Sequence, residues 1–213
     1  MANRRLLFLG MKPSVFLPSL IWIAIVATGV ARFHQYERAP GSQRPVPGLW
    51  PDASEIHLNE NAFTVVMFAH PRCPCTISSL DEFKALRSCL PGRFEIRFWM
   101  PENADKNWTD APLCQRAQGI PNISVNPDIN GIEARRFSAL TSGHVVVFRP
   151  DRSCAYSGGL TTGRGQSNAG LSGFRVCAIL KEQGLGRSNP PVFGCPLFDA
   201  NDVRQTGNEP CQK

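Results

Sequence analysis

The sequence lacks the signatures of the common hydrolases and nucleotide-binding proteins. No Ser-His-Asp arrangement, His-Glu-x-x-His run or paired carboxylates stand out, and no internal repeat indicates a solenoid. The Gly-rich passage 158–170 has no Gly-Lys-Ser/Thr ending, and Gly163-Arg-Gly165 is not followed by the third glycine of a dinucleotide fingerprint. We interpret it as a turn into a helix capped by Ser167 or Asn168, with an anion nest around Arg164 as the alternative.

Acidic residues are absent from the first 31 positions, which hold three of the 23 Lys and Arg residues and none of the 17 Asp and Glu residues. The net charge of +6 therefore falls to +3 for the remainder of the 213-residue chain. This small and unlocalised excess argues against a nucleic-acid interface. A hydrophobic fraction of 42% excludes wholesale disorder.

A long uncharged run, Pro13 to Ala31, follows a basic N-terminus. Its nineteen residues span about 28 Å as a helix, close to the hydrocarbon thickness of a membrane. The positive-inside rule then predicts residues 1–12 in the cytoplasm, 13–31 as a signal anchor and the remainder outside. The alternative is a cleaved signal peptide, with Gly29 and Ala31 at the cleavage site. Either interpretation predicts an oxidising compartment for the bulk of the chain.

The exported part divides into three segments. Residues 32–60 contain four prolines and two glycines without a sustained apolar period, which predicts a Pro-rich linker. Trp50 in this linker docks on the domain, docks on the membrane surface or stays exposed. Residues 61–186 are predicted to form the domain, and residues 187–213 a C-terminal tail packed on it.

Hydrophobic periodicity predicts an α/β domain. A buried strand over 63–69 precedes a helix that starts at Thr76 or Ser79, and a second strand covers 94–99. Residues 101–131 are mostly loop-like. The remaining predicted elements are a short helix near 113–117, another over 132–140, a hairpin of 144–148 with 153–157, and a last helix over 171–181.

This order is that of the thioredoxin fold, a central mixed sheet flanked by helices. From Ala62 to Lys181 the layout resembles a thioredoxin-like domain. The chain is similar to the RedB-type membrane-anchored thioredoxin-fold proteins of bacteria. The likeness lies in His70-Pro-Arg-Cys-Pro-Cys-Thr76, Thr141-Ser-Gly-His144, Ser157-Gly-Gly-Leu-Thr161 and Val192-Phe-Gly-Cys-Pro196. It implies a single-pass protein of the bacterial cytoplasmic membrane with its C-terminal domain in the periplasm.

Cys73 and Cys75 lie between the end of the first predicted strand and the start of the helix that follows it. A helix N-terminus stabilises a thiolate, so we expect Cys73 to be the nucleophile and Cys75 the resolving thiol, both accessible to water. Only Pro74 separates them, which limits how far apart the two sulfurs can lie. This spacing favours a disulfide that takes part in thiol–disulfide exchange over a permanent structural one. The predicted activity is thiol–disulfide exchange without an organic cofactor. Its partners would be exported protein thiols or disulfides and a membrane electron donor.

The sequence departs from thioredoxins before the fourth predicted strand. Ser142-Gly143 occupies the place of the family's cis-proline, which puts substrate docking through that proline in doubt. His144 is expected to point toward the cysteines, and His70 precedes Cys73 by three residues, so either imidazole is a candidate to adjust the thiolate. The alternative for each histidine is a solvated or structural role.

Two other functions use the same residues. Cys73, Cys75, Cys195 and His144 form a candidate soft site for Cu(I) or Zn, as in a metallochaperone. Alternatively the domain is a non-catalytic, anchored binding module with structural disulfides.

Six further cysteines need an explanation. Gly194 and Pro196 flank Cys195 and permit a turn that returns its thiol to the active loop, so a functional role and a structural disulfide both remain open. The others are assigned to regular elements or to loops. Cys89, Cys154 and Cys177 are expected as buried residues or bridge members, and Cys114 and Cys211 as loop residues.

Overall fold

The computed structural model describes residues 13–182 and 189–199, and the chain divides after Glu37 into two units. Helix α1 (Pro13–Arg38) forms the first unit and continues beyond Ala31, where the uncharged run ends. Within its stretch Phe16–Arg38, an 18-residue window has a mean hydropathy of 1.8. Among the described residues, α1 is the one helix long and apolar enough to cross a membrane.

The second unit is built on one five-stranded sheet of order β3-β2-β1-β4-β5. Strand β1 runs parallel to β2 and antiparallel to β4, β2 runs parallel to β3, and β4 runs antiparallel to β5. The elements are β1 (Phe63–Ala69), α2 (Thr76–Cys89), β2 (Gly92–Met100), α3 (Lys106–Thr109), α4 (Pro112–Gln118), β3 (Ser124–Ile129), α5 (Ile132–Arg136), β4 (His144–Phe148), β5 (Cys154–Gly158) and α6 (Leu171–Lys181). A β-α-β unit, a hairpin and a closing helix with strands ordered β2-β1-β4-β5 make the fold thioredoxin-like, which confirms the predicted fold class. Strand β3 is an addition at the edge.

Both faces of the sheet are covered, because alternate residues of the central strands enter different cores. Val65 and Met67 of β1 pack with side chains of α2, α4 and α6. Val66 and Phe68 face the opposite side, where α5 and the segment from 46 to 56 pack. The uncharged character of β1 in the sequence follows from this double burial.

The predicted Pro-rich linker is part of the domain, which corrects our expectation of a free spacer. The Gly41 amide donates to the Val192 carbonyl at 2.8 Å, and the Cys154 amide donates to the Gly48 carbonyl at 2.8 Å. Trp50 is only 7% exposed and packs edge-on against Phe137 and Phe148. Burial of its large indole stabilises this segment against the sheet.

Two predictions in the middle of the chain were wrong. Strand β3 lies in a stretch that we expected to be loop, because Asn126, Pro127 and Asp128 are poor strand formers. An edge strand tolerates a proline, since one side of its backbone needs no ladder partner. The helix predicted over 132–140 ends at Arg136, and Ser138 follows in the left-handed region at φ 54°.

A buried carboxylate organises the start of α6. Glu82 of α2 accepts from the amides of Asn168 (2.7 Å), Gly170 (3.1 Å) and Gly173 (3.0 Å) and from the Ser167 hydroxyl (3.2 Å). An anion at the orphan amides of a helix N-terminus is favourable. The cap of α6 is therefore Glu82 rather than Ser167 or Asn168. At the other end of α2, a disulfide joins Cys89 to Cys177 of α6.

Candidate active site

The loop after β1 forms a tight turn that leads directly into α2. The Cys73 amide donates to the His70 carbonyl at 3.0 Å, and the Thr76 amide donates to the Cys73 carbonyl at 3.2 Å. Cys75 already has helical dihedral angles, φ −65° and ψ −27°, as the residue that precedes the helix. Helix α2 thus starts at Thr76, the earlier of the two predicted starts, and both cysteines lie at its N-terminus.

Hydrogen-bond donors surround the sulfur of Cys73. The Cys195 amide nitrogen lies 3.4 Å from Cys73 Sγ and donates to it. The Cys195 thiol and the hydroxyls of Thr76 and Ser142 lie beside this sulfur and favour its anion. The two hydroxyl oxygens are 2.6 Å apart, and Ser142 Oγ accepts from the His70 amide at 2.8 Å. The network fixes both hydroxyls beside the sulfur.

This network changes the acidity of the Cys73 thiol. Burial on its own raises the pKa, but the hydrogen bonds from Thr76, from the thiol and amide of Cys195 and from Ser142 outweigh it. The pKa of Cys73 therefore lies below its ordinary value of 9.0. Donors that stabilise the anion are what a nucleophilic thiol needs at neutral pH.

The other two thiols have the opposite tendency. Burial and the neighbouring Cys73 raise the pKa of Cys75, although the Arg164 guanidinium partly offsets the effect. Burial and the hydrogen bond and charge of Cys73 raise the pKa of Cys195 to about 12. The cluster therefore favours the thiolate at Cys73 and the protonated thiol at Cys75 and Cys195.

Cys73 is only 2% exposed, which corrects our expectation that both sulfurs are open to water. Cys75 and Cys195 are half-buried. The C-terminal segment reaches Cys73 through Cys195, whose amide nitrogen lies against the Cys73 sulfur.

Backbone hydrogen bonds hold this segment beside the active loop. The Ser142 amide donates to the Cys195 carbonyl at 2.8 Å, and the Leu197 amide donates to the Leu140 carbonyl at 2.9 Å. A side chain at Gly194 would collide with the Ser142 carbonyl, so a glycine is needed there. The guanidinium of Arg164 donates to the Gly194 carbonyl. The predicted return of Cys195 to the active loop is therefore present, whereas its role stays a prediction.

Ser142-Gly143 forms a turn where thioredoxins have their cis-proline. Gly143 lies in the left-handed region at φ 88°, and its amide donates to the Phe68 carbonyl at 2.8 Å. A Cβ at this position would meet Ser79 Oγ at 2.8 Å. The glycine permits the turn, and the turn presents the Ser142 hydroxyl to Cys73.

The two histidines are held by other groups. His144 is buried, and its Nε2 lies 2.9 Å from Ser157 Oγ of β5. In β4 it alternates with Val145, which places it on the sheet face of Val146, opposite the face that α2 covers. The structural alternative for His144 therefore fits better than our expectation that it points toward the cysteines.

His70 lies in an aromatic cluster. Its ring stacks on Trp99 with 5.6 Å between centroids, meets Trp108 edge-on, and its Nδ1 accepts from the Arg72 amide at 3.1 Å. Burial and the Arg72 charge lower the pKa of His70. Its main link to Cys73 is the backbone hydrogen bond of the loop.

The remaining cysteines lie away from this cluster in the fold. Cys114 is buried in α4 rather than in a loop, because Pro112 starts a helix there, and burial raises its pKa to about 11. Cys154 is a buried residue of β5. Cys211 lies outside the described residues.

Three site residues escaped the sequence analysis: Thr76, Ser142 and Arg164. Thr76 was weighed only as a helix cap, and Ser142 only as the place of a missing proline. Arg164 was recognised as a possible anion-binding residue, but nothing local in the sequence links the passage 158–170 to the cysteines. In the part of the chain that the structure describes, no group of three or more His, Cys, Asp or Glu side chains is arranged to hold a metal ion.

Comparison with known proteins gives only distant structural likenesses. No family model and no curated protein matches the chain. An uncharacterized conserved protein from Geobacillus kaustophilus shares 19% identity over 76% of this chain and 94% of that one, with a TM-score of 0.47. A hypothetical protein from Sinorhizobium meliloti shares 16% over 76% and 96%, with a TM-score of 0.47. A secreted Mycobacterium tuberculosis disulfide oxidoreductase homologous to E. coli DsbE shares 16% over 56% and 80%, with a TM-score of 0.40. These scores are low, so the fold assignment rests on the strand order.

Proposed function

We propose that the chain is a thiol–disulfide oxidoreductase of the bacterial cytoplasmic membrane, anchored by α1 with its domain in the periplasm. Cys73 supplies the thiolate and Cys75 the second thiol. The observation that carries this proposal is the set of donors on Cys73 Sγ at the N-terminus of α2. A sulfur that merely filled the core would not need an amide and two hydroxyls.

The exchange proceeds in two balanced steps. The Cys73 thiolate attacks one sulfur of a client disulfide, the client S–S bond breaks, and the other client sulfur leaves as a thiolate. Cys75 loses its proton and attacks Cys73 Sγ, which releases the second client thiolate. The client gains two electrons, and Cys73 and Cys75 lose two as their disulfide forms. The reverse sequence oxidises a client dithiol.

The cover over Cys73 sets a condition on this reaction. A client sulfur must approach Cys73 Sγ along the axis of the bond that breaks, and 2% exposure of the residue leaves no room for a protein chain. The segment that carries Cys195 therefore has to move aside during turnover. Cys75 and Cys195, which are half-buried, are more open to a bulky reagent than Cys73.

The anchor supports the proposed location. Helix α1 is long and apolar enough to cross a membrane. The basic residues that precede it favour a cytoplasmic N-terminus, and an oxidising space beyond the membrane is where free exchange-active thiols have clients. Exported proteins with cysteine pairs near the membrane are the proposed clients, and a membrane thiol donor or acceptor resets the pair.

The test uses the full-length chain in detergent, reduced and then mixed with glutathione disulfide. Wild type should consume one disulfide per molecule and lose two free thiols. Cys73→Ser should do neither, and Cys114→Ala, a buried free cysteine of α4, should behave as wild type. Exchange that is unchanged in Cys73→Ser contradicts the proposal and favours a binding module. Stoichiometric copper or zinc that is lost in Cys75→Ser contradicts it in favour of a metallochaperone.

A further inference from the structure

The C-terminal segment contributes more than a cover to the cysteine site. Hydrogen bonds from the Ser142 amide to the Cys195 carbonyl and from the Leu197 amide to the Leu140 carbonyl fix the segment to the turn before β4. An isolated β-bridge pairs Thr141 with Pro196. Arg164 reaches in from a third stretch of chain to the Gly194 carbonyl. Two other stretches of the chain, one through its backbone and one through the Arg164 side chain, thus hold the backbone around this thiol.

Cys195 is placed to react with Cys73. Its amide nitrogen is 3.4 Å from Cys73 Sγ, and the two thiols share a hydrogen bond. A disulfide needs two residues whose side chains face each other across a short gap between backbones. Cys73 and Cys195 come from stretches 122 residues apart in sequence that meet here, so no covalent ring restricts how their side chains turn.

The Cys75 thiol also interacts with Cys73 by a side-chain hydrogen bond, but the two residues belong to one short loop. The two residues are positions i and i+2 of a turn whose second cysteine is already helical. Residues two apart on a helical turn project in different directions, and Pro74 fixes one of the dihedral angles between them. The short loop therefore restricts how Cys73 and Cys75 can orient for a disulfide, whereas no such ring restricts Cys73 and Cys195.

We infer that Cys195 is a third redox-active thiol, which forms a disulfide with Cys73 and fastens the C-terminal segment over the active loop. This inference rests on the proposed function, since it takes Cys73 as the reacting thiol. It extends that function by giving the cluster two resolving thiols, one in the loop and one in the segment that covers it.

The chemistry balances without a further reagent. After Cys73 has formed a mixed disulfide with the client, the Cys195 thiol loses its proton and attacks Cys73 Sγ. The bond from Cys73 to the client breaks, and the client leaves as a thiolate. Cys73 and Cys195 have then lost two electrons and form a disulfide. Attack of the Cys75 thiolate on Cys73 Sγ then transfers the disulfide to Cys73–Cys75 and frees Cys195, with no net electron change. The C-terminal segment is covalently attached to the active loop in the form with the Cys73–Cys195 disulfide. It is released in the form with the Cys73–Cys75 disulfide.

The deciding experiment compares full-length Cys75→Ser with the double variant Cys75→Ser/Cys195→Ser. Each is reduced, mixed with glutathione disulfide, quenched with acid and mapped by mass spectrometry without reduction. Cys75→Ser should release its bound glutathione and yield a Cys73–Cys195 peptide. The double variant should retain glutathione on Cys73 at least about 10-fold longer, because no neighbouring thiol is left to attack.

The outcomes separate this inference from the proposed function. If Cys75→Ser keeps its mixed disulfide as long as the double variant, the inference is wrong while Cys73 remains the nucleophile. If Cys73→Ser consumes glutathione disulfide like wild type, the proposed function itself is wrong. Oxidised wild type offers a readout that needs no substitution, since trapping at early times should yield the Cys73–Cys195 peptide. Its absence at every time point contradicts the inference.

A folding control keeps the comparison interpretable. Serine at position 195 preserves the backbone amide that donates to Cys73 Sγ. Cys195→Ser should therefore unfold within a few degrees of wild type and of Cys114→Ala. Retained alkylation of Cys73 at neutral pH in Cys195→Ser would show that the thiolate is still formed when the resolving thiol is gone.

Discussion

Helix α2 carries cysteines at both ends, and their environments differ. At its N-terminus Cys73 and Cys75 are free thiols, and Cys73 Sγ accepts a hydrogen bond from the Cys195 amide, with the hydroxyls of Thr76 and Ser142 beside it. In its last turn Cys89 is bridged to Cys177 of α6, with 6.3 Å between their Cα atoms. One end presents unpaired amide donors and the positive end of the helix dipole, and the other presents carbonyls.

The difference shows that position on a helix decides what a thiol can do. Near the N-terminus the anion is stabilised, so the sulfur can attack and be attacked. At the C-terminus a thiolate would face carbonyl oxygens, and Cys177 is buried among the side chains of the first core. That pair therefore joins two helices that pack on the same face of the sheet. The following predictions test this contrast between the ends of α2.

The largest expected effect is on exchange activity at the N-terminal end. Cys73→Ser should lower the rate of glutathione disulfide consumption by about 100-fold or more, because serine is a far poorer nucleophile than a thiolate. The double variant Cys89→Ala/Cys177→Ala should retain most of the wild-type rate at 25 °C. An equal loss of exchange rate in both variants would contradict the assignment of exchange to the N-terminal cysteines of α2 and of stability to the C-terminal pair.

The next effect is on stability at the C-terminal end. The Cys89–Cys177 disulfide closes a loop between residues 88 positions apart. Its loss in Cys89→Ala/Cys177→Ala should lower the free energy of unfolding by about 2–5 kcal/mol, measured by denaturant titration. Cys73→Ser should lower it by less than this, because the substitution removes no bridge and the Cys195 amide can still donate to the serine oxygen. A bridge that contributed nothing would leave the two variants equally stable.

A smaller effect concerns the pH at which Cys73 reacts. Because its pKa is below 9.0, the rate of iodoacetamide alkylation at Cys73 should rise with pH to a midpoint below 9.0 and then level off. Ser142→Ala removes a donor to the anion, so the midpoint should move up and the rate at pH 7 should fall about 5-fold. Ser88→Ala, at the other end of α2, should leave the profile unchanged. A profile that does not move in Ser142→Ala would show that this hydroxyl does not stabilise the thiolate.

The smallest effect belongs to Arg164. Its guanidinium favours the thiolate of Cys75, so Arg164→Gln should slow alkylation of Cys75 at pH 8 about 2-fold in a Cys73→Ser background. The exposed Arg175 of α6 provides a matched control, and Arg175→Gln should have no effect. Added salt should reduce the difference between the variants, because it screens the charge.

Local signals predicted the framework of the site. The uncharged run of β1, the periodicity of α2 and the apolar hairpin strands β4 and β5 each fix an element by its own composition. Together with the order of elements, they placed Cys73 and Cys75 at a helix N-terminus. Strand propensity did not predict β3, because this edge strand contains Asn126, Pro127 and Asp128. Pairing with β2 stabilises it instead.

Contacts distant in sequence were not predictable in the same way. Ser142, Arg164 and Cys195 meet Cys73 only because the turn before β4, the passage before α6 and the C-terminal segment converge. No pattern within any one of these stretches indicates the others. The burial of Cys73 and the docking of Trp50 depend on the same kind of long-range packing, which hydrophobic periodicity does not report.

The chain that leaves α1 meets the C-terminal segment at one place on the domain surface. Besides the link from Gly41 to Val192, the Gln43 side chain donates to the Pro190 carbonyl at 2.9 Å, and the Thr141 hydroxyl donates to the Ser42 carbonyl at 2.8 Å. Tags, cleavage sites or cross-linkers introduced there would loosen the segment that holds Cys195. The solvent-exposed turn at Glu102 and Asn103 is a safer position for labels, since it leaves those hydrogen bonds untouched.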